Sequence, residues 1–378
     1  MPEMTRRQRI LAAARRQRAD RLPFFHYWRH SQVGWAEREC RNRGMSMCWV
    51  RPSYTERMEG VEIVEQPLRS AQGSVVRRTY HTPLGSVFTE ERREPGTGQW
   101  HAQRSWRDVS PWTTQRLIKG PEDYPIVQYM VEHTEYMADY FPIEQATDWL
   151  GEDGLVLTQL PHSPMQTLMI DWVGSEGGRF FYHLADYPNL VEGLYRALCE
   201  SRRRALEIAA QAPVEIVLCG DNLDGFLVNP RLFERYFMPV YAEQAECIHA
   251  QGKLMAVHMD GRLRVLKELI ARTEIDVVEA FHPPPMGDLA VSEALRAWPD
   301  KAVWIGFPGA VYALGPEETR RYTLELLRDM APGDRVAVAM STENLVSNEN
   351  LIAVTSVLEK AELPLNEVYL SALERSSS

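Results

Sequence analysis

Short apolar runs rich in β-branched residues alternate along the chain with longer segments whose apolar positions recur every three or four residues. This alternation is typical of parallel β/α units, in which a buried strand is followed by an amphipathic helix. The runs predict about eight strands, at residues 23–28, 45–50, 155–159, 215–219, 254–258, 276–280, 302–305 and 336–340. The pattern therefore predicts an α/β fold, a distorted (β/α)8 TIM barrel.

The segments between the later strands carry the signals of helix ends. Asn229 is suited to cap a helix, Pro230 fits its first turn, and Gly252 fits the position just after its end. These residues predict a helix over 229–250. Apolar spacing and similar end signals predict further helices over 189–212, from 315 to about 332, and over 348–360.

The regular alternation of strands and helices is interrupted between the second and third predicted strands. Residues 52–150 alternate apolar and polar positions and contain turn residues, which predicts β-hairpins. An insertion of this length on a barrel loop would shape or cover the mouth of the active site, and the alternative is an extension used for dimer contacts. We expect one barrel over 21–370 that contains this insertion, preceded by a basic helix or arm over 1–20.

The charge of the chain bears on its partners. Its 42 Lys and Arg residues against 52 Asp and Glu residues give a formal net charge of −10. Nucleic-acid binding needs a basic footprint, so we expect no nucleic acid partner. Arginines nevertheless cluster in residues 1–20, which indicates either an arm for an acidic partner or membrane surface, or a solvated helix packed on the barrel.

Apolar runs and cysteines indicate the compartment. No apolar run reaches the roughly 18 to 20 residues of a membrane span, and the N-terminus lacks the apolar core of a secretory signal. The five cysteines are widely spaced and form no Cys-x-x-Cys pair. Such a pattern is typical of reduced thiols and offers no cysteine-only zinc site. We therefore expect a cytoplasmic protein with no membrane association.

Polar residues follow most of the predicted strands. In barrels of this kind, catalytic groups come from the C-terminal ends of the strands. Four of these ends carry acids, and two neighbouring ends carry histidine. The residues of interest at the strand ends are Arg29, His30, His162, Asp221, Asn222, His258, Asp260, Glu279, His282 and Phe307. We therefore expect the active site at this end of the barrel.

The most specific group of polar residues lies at the ends of the fifth and sixth strands and consists of His258, Asp260 and Glu279. A histidine and carboxylates from adjacent strands can converge on a divalent cation, and a site of three ligands with an open position suits a catalytic zinc ion. Two other interpretations stay open. The three side chains could perform acid–base catalysis without metal, or Asp260 could cap a helix while Glu279 bonds to loop backbone.

Other strand ends offer groups that could bind a substrate. Asp221 could orient a ligand, act as a general base or complete a metal site, or it could only hold its own loop. Arg29, together with His30, could fix an anionic substrate, because a guanidinium grips a carboxylate with two hydrogen bonds. A surface salt bridge is the alternative for Arg29. We also assign Asn222, His162 and Phe307 to substrate binding.

These residues make the chain similar to the uroporphyrinogen decarboxylase superfamily. The matching segments are 20–23 (DRLP), 220–222 (GDN), the predicted helix over 229–252, 258–261 (HMDG), 283–288 (PPPMGD) and 343–344 (EN). They are specific as a set, and the likeness covers most of residues 20–365. The resemblance implies a distorted (β/α)8 barrel with one funnel-shaped site.

The chain differs from the true porphyrinogen decarboxylases of this superfamily. Those enzymes carry an arginine-rich, glycine-containing segment after the first strand, where this chain has 27–32 (YWRHSQ). They also have a glycine-rich apolar segment after the third strand, where this chain has 160–164 (LPHSP). The resemblance therefore does not extend to decarboxylation of a porphyrinogen.

A second branch consists of zinc-dependent methyltransferases that exchange methyl groups with corrinoid proteins. Members similar to the coenzyme M enzymes use His-x-Cys on the fifth strand and a later cysteine, where this chain has His258-x-Asp260 and 340–343 (MSTE). Oxygen ligands in place of thiolates suit an oxygen-containing substrate better than a thiol. The resemblance thus favours the corrinoid-linked demethylases, in which zinc would stabilise the oxygen that loses its methyl group.

The leading hypothesis is a zinc-dependent, demethylase-type methyltransferase that moves a methyl group from a small methylated or methoxylated compound to a separate corrinoid protein. In it, His258 and Glu279 are metal ligands, Asp260 is a ligand or orients one, and Asp221 positions the substrate. One alternative is a metal-free decarboxylase or lyase with Asp221 and His258 as acid–base groups and Arg29 holding a carboxylate. Another is a non-catalytic protein that binds a tetrapyrrole or corrinoid. The resemblance also suggests a homodimer.

Overall fold

The computed structural model describes residues 3–31, 33–70, 73–93, 112–342 and 346–377. Glu343 and Asn344 of the family resemblance lie outside this part of the chain. The chain divides into two compact units. The first consists of Met1–Ser53, Tyr140–Leu160 and Ala210–Ser378, and the second of Tyr54–Asp139 and Pro161–Ala209.

The first unit contains a closed barrel of eight parallel strands. In chain order β1 to β8, they are Phe24–Tyr27, Ser46–Arg51, Gly154–Leu160, Ile216–Cys219, Leu254–His258, Val277–Phe281, Ala302–Gly306 and Val336–Ala339. Each strand pairs with the next, and β8 pairs with β1 to close the barrel. The predicted α/β barrel is confirmed, and each strand lies within one residue of its predicted bounds.

Alternation along the strands explains the barrel core. Successive side chains of a strand point to opposite faces, so every second residue faces the barrel interior. These interior residues form one buried cluster: Phe25, Cys48, Leu155, Leu157, Ile216, Leu218, Ala256, Val277, Ala302, Trp304, Ala337 and Ala339. The intervening residues, such as Val217 and Val257, are also fully buried, which explains the nearly continuous apolar runs.

The described helices of the first unit follow the predicted segments, with further helices besides. Their bounds are Arg6–Ala14, Trp35–Asn42, Phe141–Leu150, Met238–His249, Lys267–Ala271, Val291–Ala297, Gly309–Tyr312, Pro316–Asp329, Asn348–Leu358 and Glu367–Ser377. Asn229 caps the start of its helix as predicted, since its side chain accepts from the Leu232 backbone N–H at 3.0 Å. A π-helical turn, Phe233–Phe237, then leads into Met238–His249.

The basic N-terminal segment forms a capped helix that belongs to the barrel unit. Thr5 caps Arg6–Ala14, and residues 10–14 of this helix are buried. Ile10 and Leu11 join the interior cluster of the barrel. Most arginines of this segment are paired within the same unit; the Arg9 guanidinium, for example, donates two hydrogen bonds to Asp20, at 2.7 and 2.8 Å. The helix thus contributes to the core of the barrel unit.

The second unit has the β-rich character that the sequence predicts for the insertion. Four strands form an antiparallel sheet in the order Glu62–Ser70, Gly73–Thr82, Gly85–Arg93 and Trp112–Gln115. Tyr54–Met58 pairs separately with Thr134–Ala138. The described helices of eight or more residues in this unit are Asp123–Glu132, Arg179–Asp186 and Pro188–Gln211. Whether the insertion shapes the mouth of the active site stays a prediction.

The interpretation of residues 52–150 as hairpins throughout is wrong in two places. Asp123–Glu132 and Phe141–Leu150 are helices. In the first, the Asp123 carboxylate accepts from the Lys119 backbone N–H at 2.7 Å and so supports the helix start. In the second, the buried residues Ile143 and Ala146 are three positions apart, a helical spacing that the many aromatic residues nearby obscure.

No helix in the described part of the chain combines the length and the apolar composition that a membrane span requires.

Candidate active site

Three polar side chains occupy interior positions at the C-terminal ends of their strands. Tyr27 follows Phe25 on β1, His258 follows Ala256 on β5, and Glu279 follows Val277 on β6, in each case two residues further along. Because alternate residues share a face, these side chains continue the interior stacks above the apolar core. His258 and Glu279 are also direct neighbours in the register of β5 and β6.

Hydrogen bonds join the three side chains into one chain. The Tyr27 hydroxyl donates to Oε1 of Glu279 at 2.6 Å, and Nδ1 of His258 lies 2.5 Å from Oε2 of the same carboxylate. On the other side of the imidazole, Nε2 of His258 lies 3.6 Å from Oδ2 of Asp260. We call the series Tyr27, Glu279, His258 and Asp260 the polar relay.

Exposure changes along the polar relay. The Glu279 side chain is 2% exposed, that of His258 is 20% exposed, and that of Asp260 is 38% exposed. The exposed end of the relay is therefore Asp260 with the neighbouring Nε2 of His258. Glu279 is buried beneath them, as expected of a group that orients rather than reacts.

A bulge in β6 sets the direction of Glu279. The register between β6 and β7 shifts between Val278 and Phe281, and within this shift Ala280 has φ of +52°. A left-handed backbone is unfavourable for any residue with a Cβ atom, so the conformation is strained. Bulges of this kind change the aim of side chains beside active sites. Here the bulge lies directly after Glu279.

Charges within the polar relay shift its pKa values. Burial alone lowers the pKa of His258, but the neighbouring carboxylates, first the charge of Glu279, outweigh it and raise the pKa to about 10. Burial raises the pKa of Asp260, but the interaction with the His258 imidazole 3.6 Å away lowers it further than burial raises it. Burial, with the charge of Glu279, raises the pKa of Tyr27 well above its usual value. Without a ligand, His258 is therefore a cation held between carboxylates.

The predicted zinc ligands were tested against this geometry. Glu279 lies on the Nδ1 side of His258 and Asp260 on the Nε2 side, so the three do not face one point. Among the described residues, no group of three or more His, Cys, Asp or Glu side chains is arranged to hold a metal ion. Two donors fit: Nε2 of His258 and Oδ2 of Asp260. Glu279 instead fits the carboxylate that bonds to the second nitrogen of a metal-bound histidine.

His282, just beyond the end of β6, lies against Gly306, where the absence of a side chain leaves room for the imidazole. A Cβ atom at Gly306 would come within 2.6 Å of its Nε2. Nδ1 of His282 is buried and has no hydrogen-bond partner among the described residues. Burial, partly opposed by the charge of Asp260, lowers the pKa of His282, so this imidazole is neutral. It is electrostatically coupled to the polar relay without being one of its hydrogen-bonded members.

The two polar residues after β4 lie in different surroundings. Asp221 is completely buried, and its Oδ2 accepts a hydrogen bond of 2.7 Å from the Tyr241 hydroxyl. Asn222, the next residue, is exposed. Asp221 is thus anchored to the helix Met238–His249, and direct contact with a substrate would need Asn222 or a rearrangement of this loop.

The remaining predicted substrate-binding residues differ in exposure. Arg29 and His30 lie in a 3-10 turn after β1, where Nε of Arg29 lies 2.8 Å from Nε2 of His30. Arg29 is exposed. Phe307 is completely buried and packs against Tyr312, with ring centroids 4.7 Å apart. Because none of the Phe307 side chain is accessible, the structure does not support its predicted contact with a substrate.

His162 belongs to the second unit and is described within it. Its Nδ1 lies 2.7 Å from Oδ2 of Asp171, and its backbone carbonyl accepts from Arg202. The histidine side chain is 23% exposed. The pair has the composition of an acid–base dyad, and its part in substrate binding stays a prediction.

Two relevant residues were not assigned a site role from the sequence, Tyr27 and Tyr241. Strand alternation alone places Tyr27 on the interior face, since Phe25 precedes it by two positions. That signal was available. No comparable signal marked Tyr241, because a helix of this composition has several buried aromatic residues.

No protein-family model matches the sequence, and no curated protein matches it either. Among solved structures, the chain is similar to a methyltransferase from Methanosarcina mazei, with a TM-score of 0.56 and 12% sequence identity. The similarity covers 95% of this chain and 99% of that one. At this level of identity it shows a shared fold.

Proposed function

We propose that this protein is a methyltransferase that moves a methyl group from a small methylated or methoxylated compound to a corrinoid carried by a separate protein. The polar relay carries the proposal, because it offers a preoriented histidine and an accessible carboxylate at the reactive end of a barrel. A solved structure of the same fold, similar along almost the whole chain, is that of a methyltransferase. The sequence resemblance independently favours the corrinoid-linked demethylases.

The proposal includes a zinc ion held by His258 and Asp260. Nε2 of His258 and Oδ2 of Asp260 are 3.6 Å apart, close to the separation of about 3.3 Å between two ligands of a tetrahedral zinc ion whose bonds are about 2 Å long. When bound, zinc supplies a Lewis acid that stabilises negative charge on the substrate oxygen. This set has one protein ligand fewer than most catalytic zinc sites.

The residues of the chain bind and orient the reactants. A cobalt(I) corrinoid of the partner protein would accept the methyl group, and the carbon–oxygen bond of the substrate would break with its electron pair left on the substrate oxygen. Glu279 holds the His258 ring so that Nε2 faces Asp260 and the accessible side. Arg29, His30 and Asn222 lie at strand ends of the barrel and are the proposed contacts for the rest of the substrate.

Methyl transfer is tested directly with chemically reduced free cobalamin as acceptor and a panel of methoxylated aromatic compounds as donors. The absorbance change from cobalt(I) to methylcobalamin reports the reaction. His258→Ala should abolish it. The matched control is His249→Ala, because His249 also pairs with a carboxylate, Asp276 at 2.7 Å, but beside the opposite ends of the strands. Equal activity in the two variants would refute the assignment of the site.

A second candidate is a metal-free lyase or decarboxylase. It is favoured by the raised pKa of His258, because an imidazolium between two carboxylates can act as a general acid. In that case Arg29 would hold a substrate carboxylate. Activity on a carboxylated substrate that survives prolonged dialysis against a chelator would favour this candidate over methyl transfer.

The cytoplasmic location and the homodimer stay predictions.

A further inference from the structure

Both oxygens of the Glu279 carboxylate are engaged within the barrel. The residue is 1% exposed, so water cannot replace a missing partner at either oxygen. Oε2 bonds to His258, and Oε1 accepts a hydrogen bond of 2.6 Å from the Tyr27 hydroxyl. A buried acceptor that loses its partner costs about 1–3 kcal/mol, and more when it is charged. The position of this carboxylate therefore depends on Tyr27 as well as on His258.

Tyr27 is itself fixed from two sides. Its backbone N–H donates to the Ser341 hydroxyl at 2.7 Å, which joins the end of β1 to the segment after β8. Its ring packs edge-on against Phe25, with centroids 5.3 Å apart. The hydroxyl thus has a defined position opposite Glu279, on the far side of the carboxylate from His258.

We infer that Tyr27 is a positioning residue for His258 and acts through Glu279. The hydroxyl donates its hydrogen bond to Oε1, and the other oxygen, Oε2, then points toward Nδ1 of His258. An oriented carboxylate on Nδ1 keeps the proton on that nitrogen and turns Nε2 toward Asp260, where a metal ion would take the place of the Nε2 proton. The consequence for zinc or substrate rests on the proposed function, whereas the orientation of the imidazole does not.

The test compares Tyr27→Phe with Tyr312→Phe. Tyr312 is a suitable control because its hydroxyl is also buried in the barrel unit and bonded, to the Met340 carbonyl at 3.1 Å, but has no contact with the relay. Proteins labelled with nitrogen-15 in histidine are observed by NMR without metal, and His258→Ala assigns the signal of His258. Tyr27→Phe should shift or broaden the Nδ1–H signal of His258, and Tyr312→Phe should leave it unchanged.

Zinc affinity gives a second readout, measured by competition with a chromophoric chelator. Loss of the partner behind a metal-bound histidine weakens binding roughly 10- to 100-fold. Tyr27→Phe removes the partner of Glu279 and not Glu279 itself, so it should bind zinc measurably more weakly than Tyr312→Phe, by less than that factor. If neither the His258 signal nor the zinc affinity distinguishes the two variants, the inference is wrong. If the wild type binds no zinc but the signal still responds to Tyr27→Phe alone, the positioning role stands and the zinc proposal fails.

Discussion

Replacing Glu279 with glutamine tests whether the buried carboxylate holds the polar relay together. Glutamine keeps the shape but offers one oxygen and one NH2 group to two donors, the Tyr27 hydroxyl and Nδ1–H of His258. Either the Tyr27 hydroxyl must turn and accept from the new NH2 group, or His258 must give up its Nδ1 proton, and the charge that stabilises the His258 cation is lost. At 1% exposure, solvent cannot compensate for either change.

The magnitude follows from these contacts. Breaking a buried charge pair by changing one partner costs about 3–5 kcal/mol. Urea unfolding at neutral pH, with wild type and variant at equal protein concentration, measures the difference in unfolding free energy. Glu234→Gln is the control, since its partner is Arg272 on the surface and both side chains are more than half exposed. That change should cost less than about 1 kcal/mol. A loss below about 1 kcal/mol for Glu279→Gln would refute the buried network.

Three further outcomes are expected. Ala280→Gly should relieve about 1 kcal/mol of left-handed strain, offset by the greater freedom of the unfolded chain. Thermal unfolding should therefore shift little and activity should be retained, because glycine keeps the bulge; a large loss of stability would contradict this. Gly306→Ala should displace the His282 imidazole, because the new methyl group would lie 2.6 Å from its Nε2, and the His282 NMR signal should move. The hydrogen bond and charge of Arg9, with two backbone N–H groups, outweigh burial and lower the pKa of Asp20 to about 2. The ionised Asp20 carboxylate therefore stabilises the fold fully above about pH 4, and this stabilisation is lost as the pH falls toward 2. Relative to Asp20→Asn, the unfolding free energy of the wild type should fall by about 1–2 kcal/mol over that range. A difference between the two proteins that does not change with pH would contradict this.

Much of the barrel could be predicted from the sequence because its strands are buried on both faces. Near-continuous apolar runs such as residues 254–258 and 302–305 have few other structural interpretations. The helix from Pro230 onward was predicted because asparagine and proline have specific roles at a helix start. Phe141–Leu150 was missed because its buried stripe is narrow and its flanks are aromatic.

The candidate site was predicted only in part. Alternation places His258 and Glu279 on the interior face, and they are expected to lie close together because their strands are adjacent. Which side of the imidazole each carboxylate takes does not follow from the sequence. It depends on the stagger of the strands and on the bulge at Ala280, a residue with no sequence signal for a left-handed backbone. For that reason Glu279 was assigned as a ligand, whereas its geometry fits an orienting partner.

Elemental analysis shows whether His258 and Asp260 bind zinc. It is applied to purified wild type, His258→Ala, Asp260→Ala and Glu279→Gln proteins, each equilibrated with excess zinc and then freed of unbound metal. We expect about one zinc ion per chain in the wild type and none in the first two variants. Glu279→Gln should still bind zinc, with an affinity weakened roughly 10- to 100-fold. Zinc retained by Asp260→Ala but abolished in Glu279→Gln would contradict the assignment of ligand and orienting residue, and a wild type that binds no zinc would contradict the metal-dependent mechanism itself.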